Sequence, residues 1–278
     1  MMKANYHTHC VYCDGTGTPE DYVKASIGQG LAAVGFSCHA PLPFSNVFTM
    51  ALDRLPEYVE TVQALKGRYA GEICVLLGLE VDFVPGLEPF QAAFSAFDLD
   101  YTIGSIHYVD RDENGDPWAI DAEEAIFVNG INGVYGGNGR TAVERYYALI
   151  RRMVQETRHD IVGHFDVIKK NNRAGQCFSE EAAWYAAAVD ETLDLIAGKS
   201  RIVEVNTAGI RKGVGLYPSP AILKKCKDFK VPLTINSDAH HPADLVAHYS
   251  EVRDLLLSIG YKEIHQLTST GWEPSPLQ

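Results

Sequence analysis

Short apolar runs alternate along this chain with longer stretches in which apolar residues recur at helical spacing. The runs are NYHTH (5–9), LAAVGFSCH (31–39), ICVLLGLE (73–80), YTIGSIH (101–107), DIVGH (160–164), RIVEVN (201–206) and VPLTINSDAH (231–240). After the first, each is apolar on successive residues rather than alternate ones, the pattern of parallel strands buried on both faces. Between them lie helical patterns at 18–30, 50–71, 140–157, 179–199 and 219–229. Pro19 behind Thr18 opens the first of these, since a proline at the first helical position forfeits no hydrogen bond. Pro56 predicts that the second helix begins or bends there. Strand and helix alternating along a whole chain imply a parallel sheet with helices packed outside it. About seven such units fit, which suits a single-domain TIM-like (β/α) barrel over residues 1–278. An open doubly wound sheet fits less well, because no G-x-G-x-x-G follows an early strand. Residues 108–139 stand apart: long, rich in Gly, Asn and Asp, and weakly periodic, they are expected to form a loop insertion or lid.

Composition narrows the function. The chain has 278 residues and a net charge of -12, which argues against a nucleic-acid surface. No run approaches the ~18 apolar residues of a membrane span, and MMKANYHTHC lacks the apolar core of a signal peptide, so a cytoplasmic protein with no membrane partner is expected. Six cysteines are too dilute for a disulfide framework. Cys38 and Cys74 fall inside apolar runs and are expected to be small buried hydrophobes. Cys10 and Cys13 form a C-x-x-C, but no second pair follows at zinc-ribbon spacing.

The candidate chemistry lies where the runs end. His7, His9, His39, His107, His164 and His240 stand at or just past the C-terminal end of a predicted strand, Glu80 ends the third run and Asp238 the last. In a parallel barrel those ends converge on one face, where active sites are built. His7-x-His9 projects two imidazoles from the same face of a strand, and Asp238-x-His240 repeats the relation at the far end of the chain. First and last strands of a closed barrel are neighbours, so the two pairs could share ions. A mixed His, Asp and Glu set suits Zn, Mn or Fe, and its size exceeds what one ion can use.

These motifs resemble the PHP (polymerase and histidinol phosphatase) metallophosphoesterases: HTH (7–9), SCHAP (37–41), GLEVD (78–82), SIHY (105–108), GHFD (163–166) and SDAH (237–240) occur in family order. NTAG-R (206–211), with Trp118 and Asp121, resembles the histidinol-phosphatase branch. The resemblance implies a distorted (β/α)7 barrel carrying three divalent ions. His7, His9, Glu80 and Asp238 would hold the first ion; Glu80 would bridge to a second shared with His107 and His164; Asp14, His39 and His240 would hold the third. Asp14, in CDG, equally suits a turn whose carboxylate caps backbone N–H groups. The implied reaction is hydrolysis of L-histidinol phosphate, in histidine biosynthesis, by metal-activated hydroxide. Arg211 is the expected phosphate fork, with Lys169, Lys170 and Arg173 nearby and Lys170 or Arg173 steering the anion. Asp238 or His240 would protonate the leaving oxygen. Asp82, Phe83, Tyr108 and Trp118 are candidates for the substrate's ammonium and imidazole. Three other readings stay open: a phosphoesterase of the same family acting on another small phosphomonoester or nucleotide, an amidohydrolase-type metal hydrolase, and a metal-binding protein without catalysis. Most amidohydrolase-type enzymes would carry a lysine where this chain has His107.

Overall fold

The computed structural model describes residues 4–277. Its strands are β1 (Ala4–Asn5), β2 (Ala33–Phe36), β3 (Cys74–Asp82), β4 (Tyr101–Ser105), β5 (Tyr108–Arg111), β6 (Pro117–Ala119), β7 (Ile161–Val162), β8 (Ile202–Asn206), β9 (Leu233–Asn236), β10 (Glu263–Thr268) and β11 (Gly271–Pro276). Seven of them form one sheet in the order β1-β2-β3-β4-β7-β8-β9, each neighbouring pair parallel. The sheet curls back on itself: His9 N–H donates to the Ala239 carbonyl at 2.8 Å, and Ala239 N–H to that of His7 at 3.1 Å. First and last strands therefore meet at their C-terminal ends, and the sheet is a nearly closed, distorted (β/α)7 barrel, as the run count predicts.

The helices follow the expected boundaries. In α1 (Pro19–Gly28), Thr18 and Asp21 form a reciprocal capping box ahead of Pro19. A short 3-10 turn precedes α2 (Leu55–Arg68), so Pro56 marks a start rather than a bend. The remaining helices are α3 (Glu88–Gln91), α4 (Glu124–Tyr135), α5 (Gly139–Glu156), α6 (Ala183–Gly198), α7 (Ala208–Arg211), α8 (Pro220–Asp228) and α9 (Tyr249–Ile259). Asn138 caps α5 and Ser219 caps α8, each accepting from a backbone N–H of the first turn.

Strand parity sorts the side chains. On β3, Val75, Leu77, Leu79 and Val81 face outward into the core beneath α1 and α2, whereas Leu76 joins the barrel interior. Because side chains alternate, Glu80 and Asp82 share the inward face with Leu76. The lower interior is apolar, built from residues such as Tyr6, Ile103, Ile161 and Ile202 around Tyr101. Tyr101 fits only because two strands carry glycine beside it: a Cβ on Gly35 would lie 2.4 Å from its hydroxyl, and one on Gly78 2.6 Å from its ring. Trp272 of the β10–β11 hairpin packs on Tyr6 with ring centroids 4.9 Å apart, plugging that end. The upper interior is left to the polar residues.

Two expectations are corrected. Residues 108–139 are largely regular: β5 and β6 pair as an antiparallel hairpin and α4 follows. This insertion is pinned down by Asn171 Nδ2, which donates to the Ala122 carbonyl at 2.8 Å, and is braced internally by Tyr135, whose hydroxyl donates to Asp110 at 2.6 Å. Two glycines and two asparagines in α4 mask its periodicity, yet Phe127 and Ile131 are buried against Trp118. Cys74 is exposed, not buried, because β3 starts there and its first residue lies beyond the helices that cover the strand. Cys38 is fully buried, as expected.

Candidate metal centre

The strand ends bring the predicted residues into one polar chamber. His7 Nε2 lies 3.1 Å from Glu80 Oε2 and 3.7 Å from Asp238 Oδ1. His9 Nε2 lies 3.4 Å and 3.3 Å from the same two oxygens. Donors held at ~2.1 Å around a tetrahedral ion are spaced ~3.4 Å apart, close to these histidine–carboxylate distances. The other Glu80 oxygen faces a different group. His164 Nε2 is 3.0 Å from Oε1, and His107 Nε2 is 3.8 Å from Oε1 and 3.1 Å from His164 Nε2. Towards the mouth, Asp14 lies 3.3 Å from His240 Nε2, 3.8 Å from His39 Nε2 and 3.9 Å from His9 Nδ1. Groups of side chains able to share an ion therefore include His7–His9–Glu80, Glu80–His107–His164 and His9–Asp14–His39–His240. Asp14 faces the chamber with the histidines, and His9 reaches its group as well as the first.

The residues fit divalent metal. Buried polar atoms without a hydrogen bond include His7 Nε2, His9 Nε2, His39 Nδ1, Glu80 Oε2 and His164 Nδ1. Native interiors rarely leave such atoms unpaired, and the four on His7, His9, His39 and Glu80 mark a place where cations belong. Among the described residues, the groups able to hold an ion contain no cysteine. Cys10 and Cys13 form no disulfide and fall outside those groups.

Electrostatics in the chamber follow from burial and crowding. Burial alone would push the His7 imidazole down, but Glu204, Glu80 and Asp238 hold it well above its usual value. His107 is likewise disfavoured by burial and pushed up to about 10 by Asp82, Asp121 and Glu80. Burial would raise the Glu80 and Asp238 carboxyls, but the surrounding histidines hold both well below the usual range. At neutral pH His7 and His107 therefore hold protons that an incoming ion must displace, while Glu80 and Asp238 hold none. Metal affinity is expected to rise with pH from 6 to 8, with net proton release. Calorimetric titration of zinc in buffers of different ionisation enthalpy checks this; a pH-independent affinity would contradict it.

Comparison with known proteins places this constellation. The PHP domain family model matches residues 5–208. The chain belongs to the PHP domain family. It is 33% identical to a Deinococcus radiodurans protein named "Probable histidinol-phosphatase", over 90% of this chain and 92% of that one. It is 27% identical to the Bacillus subtilis "Histidinol-phosphatase", over 88% of this chain and 96% of that one. A crystal structure of the Lactococcus lactis histidinol phosphate phosphatase, complexed with zinc, L-histidinol and phosphate, shares the fold at TM-score 0.75 and 19% identity. That match covers 98% of each chain.

In this PHP domain the ligand groups open into a cavity of about 730 Å³, lined among others by Phe48, Tyr108, Trp118, Asp121, Lys170 and Lys212. Lys170, Tyr108 and Trp118 are thus on the cavity wall. Four other expectations are corrected. Arg211 is outside the lining: its Nη2 donates to the carbonyls of Ser237 and Asp238 at 3.2 and 3.1 Å, and Nη1 pairs with Asp244 at 2.9 Å. That guanidinium braces the turn where Asp238 adopts a φ of 50°. Arg173 is 69% exposed and paired with Glu124, away from the cavity. Asp82 accepts from His107 Nδ1 at 2.8 Å and from its backbone N–H at 3.1 Å and is outside the cavity lining, so it holds the His107 ring instead of meeting substrate. Phe83 is 1% exposed in the outer core. Lys169 bonds Asp166 and the Leu216 carbonyl. Sequence reasoning missed Lys212, one residue past Arg211, and Glu204, an acid standing within the apolar run RIVEVN. That anomaly was a usable signal.

Proposed function

We propose that this PHP domain hydrolyses L-histidinol phosphate to L-histidinol and phosphate, using three divalent ions drawn from zinc, manganese or iron. The observation that carries it is Glu80: buried, its two oxygens face separate histidine groups, the arrangement a bridging ligand requires. His7, His9, Glu80 and Asp238 take the first ion, Glu80, His107 and His164 the second, and Asp14, His39 and His240 the third, with His9 within reach of it. Bound divalent ions supply a nucleophilic water at neutral pH and neutralise the phosphate.

The chain's own residues bind and orient. Lys170 and Lys212 on the cavity wall draw the dianion in, with Lys170 held in place by its bond to the Asp121 carbonyl. Asp238, kept ionised by His7, His9 and His240, is a poor proton donor. While His240 holds an ion it has no proton to give either, so the leaving oxygen takes its proton from solvent water at the mouth, where His240 is one third exposed. The alcohol half of the substrate carries an ammonium and an imidazole. Asp112, Glu113, Asp116 and Asp121 line the cavity with Tyr108 and Trp118, which suits those groups and repels polyphosphates. The named activity of the Deinococcus and Bacillus relatives supports the same substrate.

The test is kcat/KM for phosphate release across a panel of phosphomonoesters with the metal-replete protein. L-Histidinol phosphate is expected to exceed sugar phosphates and nucleoside monophosphates by at least ~100-fold, the discrimination that groups buried around a matching cation can supply. A higher kcat/KM for a nucleotide or sugar phosphate would replace this reading with that of another phosphoesterase of the family.

A further inference from the structure

Glu204 lies mid-strand in β8 with no exposed surface, and neither the ligand groups nor the substrate cavity uses it. A carboxylate sealed inside a barrel is costly unless its oxygens are filled. Here four donors fill them. Oε1 accepts from His7 Nδ1 at 2.6 Å and from Asn236 Nδ2 at 2.9 Å. Oε2 accepts from the His164 backbone N–H at 2.9 Å and from Asn206 Nδ2 at 3.0 Å. Asn206 Nδ2 also lies 3.2 Å from Asp238 Oδ2, and the Asn236 side-chain oxygen accepts from Tyr6 N–H at 2.8 Å, next to His7.

One carboxylate thus touches the side chain of one ligand, the backbone of a second and, through Asn206, the side chain of a third. Those ligands follow β1, β7 and β9, while Glu204 itself sits on β8. The bond to His7 has a chemical consequence. A ring that donates from Nδ1 leaves the Nε2 lone pair free, and Nε2 is the atom that faces Glu80 and Asp238. Asp82 makes the corresponding bond to His107 Nδ1, but it holds only that one residue's ring and N–H.

We propose that Glu204 is the positioning residue of the metal centre: it fixes the His7 tautomer and holds the ligands of β1, β7 and β9 in register. The inference rests on the metal-centre reading above but touches neither substrate nor reacting atoms. The test is Glu204→Gln against Glu204→Asp. Glutamine has nearly the same shape, but whichever way its amide turns, an NH2 faces two existing donors. Aspartate keeps both acceptor oxygens on a shorter arm.

Zinc affinity, from competition with a chromophoric chelator, is expected to fall about 10- to 100-fold in Glu204→Gln, the usual cost of losing a partner that orients a ligand. Glu204→Asp should recover part of that loss. At saturating zinc the KM of Glu204→Gln should match that of the wild type, since Glu204 is outside the cavity. Wild-type affinity in Glu204→Gln overturns the proposal. Should that variant not fold, ¹⁵N-edited NMR of the histidine rings in the zinc-loaded wild type decides: a proton on His7 Nδ1 upholds the proposal, and its absence refutes it. Affinity and tautomer do not depend on which phosphomonoester is turned over, so a wrong substrate leaves both readouts intact. A wild type that binds no metal would instead sink the metal-centre reading itself.

Discussion

Glu80→Gln is expected to lower kcat/KM by at least ~10³-fold, the scale of losing a preorganised electrostatic group at a reacting centre. The amide is nearly isosteric, so the change removes charge and one acceptor rather than volume. Oε2 lies within 3.4 Å of His7 and His9, and Oε1 within 3.8 Å of His107 and His164, so either orientation of the glutamine strips one group of its shared ligand. Ser105 fixes the usual orientation by donating from its hydroxyl to Oε1 at 2.6 Å. The NH2 should therefore settle on the Oε2 side, against His7 and His9. Metal content is expected to fall along with activity, because the first group loses an anionic donor that sits among the imidazoles of His7, His9 and His39. Steady-state kinetics paired with metal analysis reads both effects. Activity within tenfold of wild type at full metal content would show that Glu80 bridges nothing.

The barrel was legible because, after the first, each of its strands lies in an apolar run ended by a polar residue. The ligand set was legible for the same reason: His39, Glu80 and His107 continue the inward parity of β2, β3 and β4, where the apolar interior stops. Other features were hidden for separate physical reasons. In α4, glycine and asparagine replace apolar residues on the helical stripe, and Gly130 is needed there because a Cβ would meet Trp118 Nε1 at 1.9 Å. The β10–β11 hairpin carries few apolar residues because it caps one end of the barrel instead of filling its centre. Arg211 matched a plausible phosphate-binding position, but α7 is one short turn whose end points the guanidinium beneath the β9 turn. Sequence gives a residue's place along the chain more readily than its direction. Glu204 and Asp82 show the same limit from the other side: both are inward-facing acids, and only the geometry shows that they hold histidines.

Chelation is expected to abolish activity while leaving the barrel folded. The strand ends are joined by bonds that need no ion. Asn5 Nδ2 donates to Ser237 at 2.7 Å and to the Leu245 carbonyl at 3.0 Å, and Thr8 Oγ1 donates to the Gly35 carbonyl at 2.8 Å. Without metal, raised imidazoles and depressed carboxylates in the chamber also offset one another's charge. Metal still stabilises the native state by mass action, ~4 kcal/mol per site at a free concentration a thousandfold above Kd. For a chain of this size one such site corresponds to a Tm shift on the order of 10 °C. After treatment with a strong chelator, phosphate release should drop to background, the far-ultraviolet circular dichroism should be unchanged, and Tm should fall by roughly that amount per site emptied. Adding back zinc or manganese should restore both activity and Tm. The alternatives diverge cleanly. A structural metal would make chelation unfold the chain, because in such proteins binding energy is folding energy. A metal-independent phosphatase would keep its turnover. Loss of turnover with a persistent barrel is the result that only a catalytic metal centre gives.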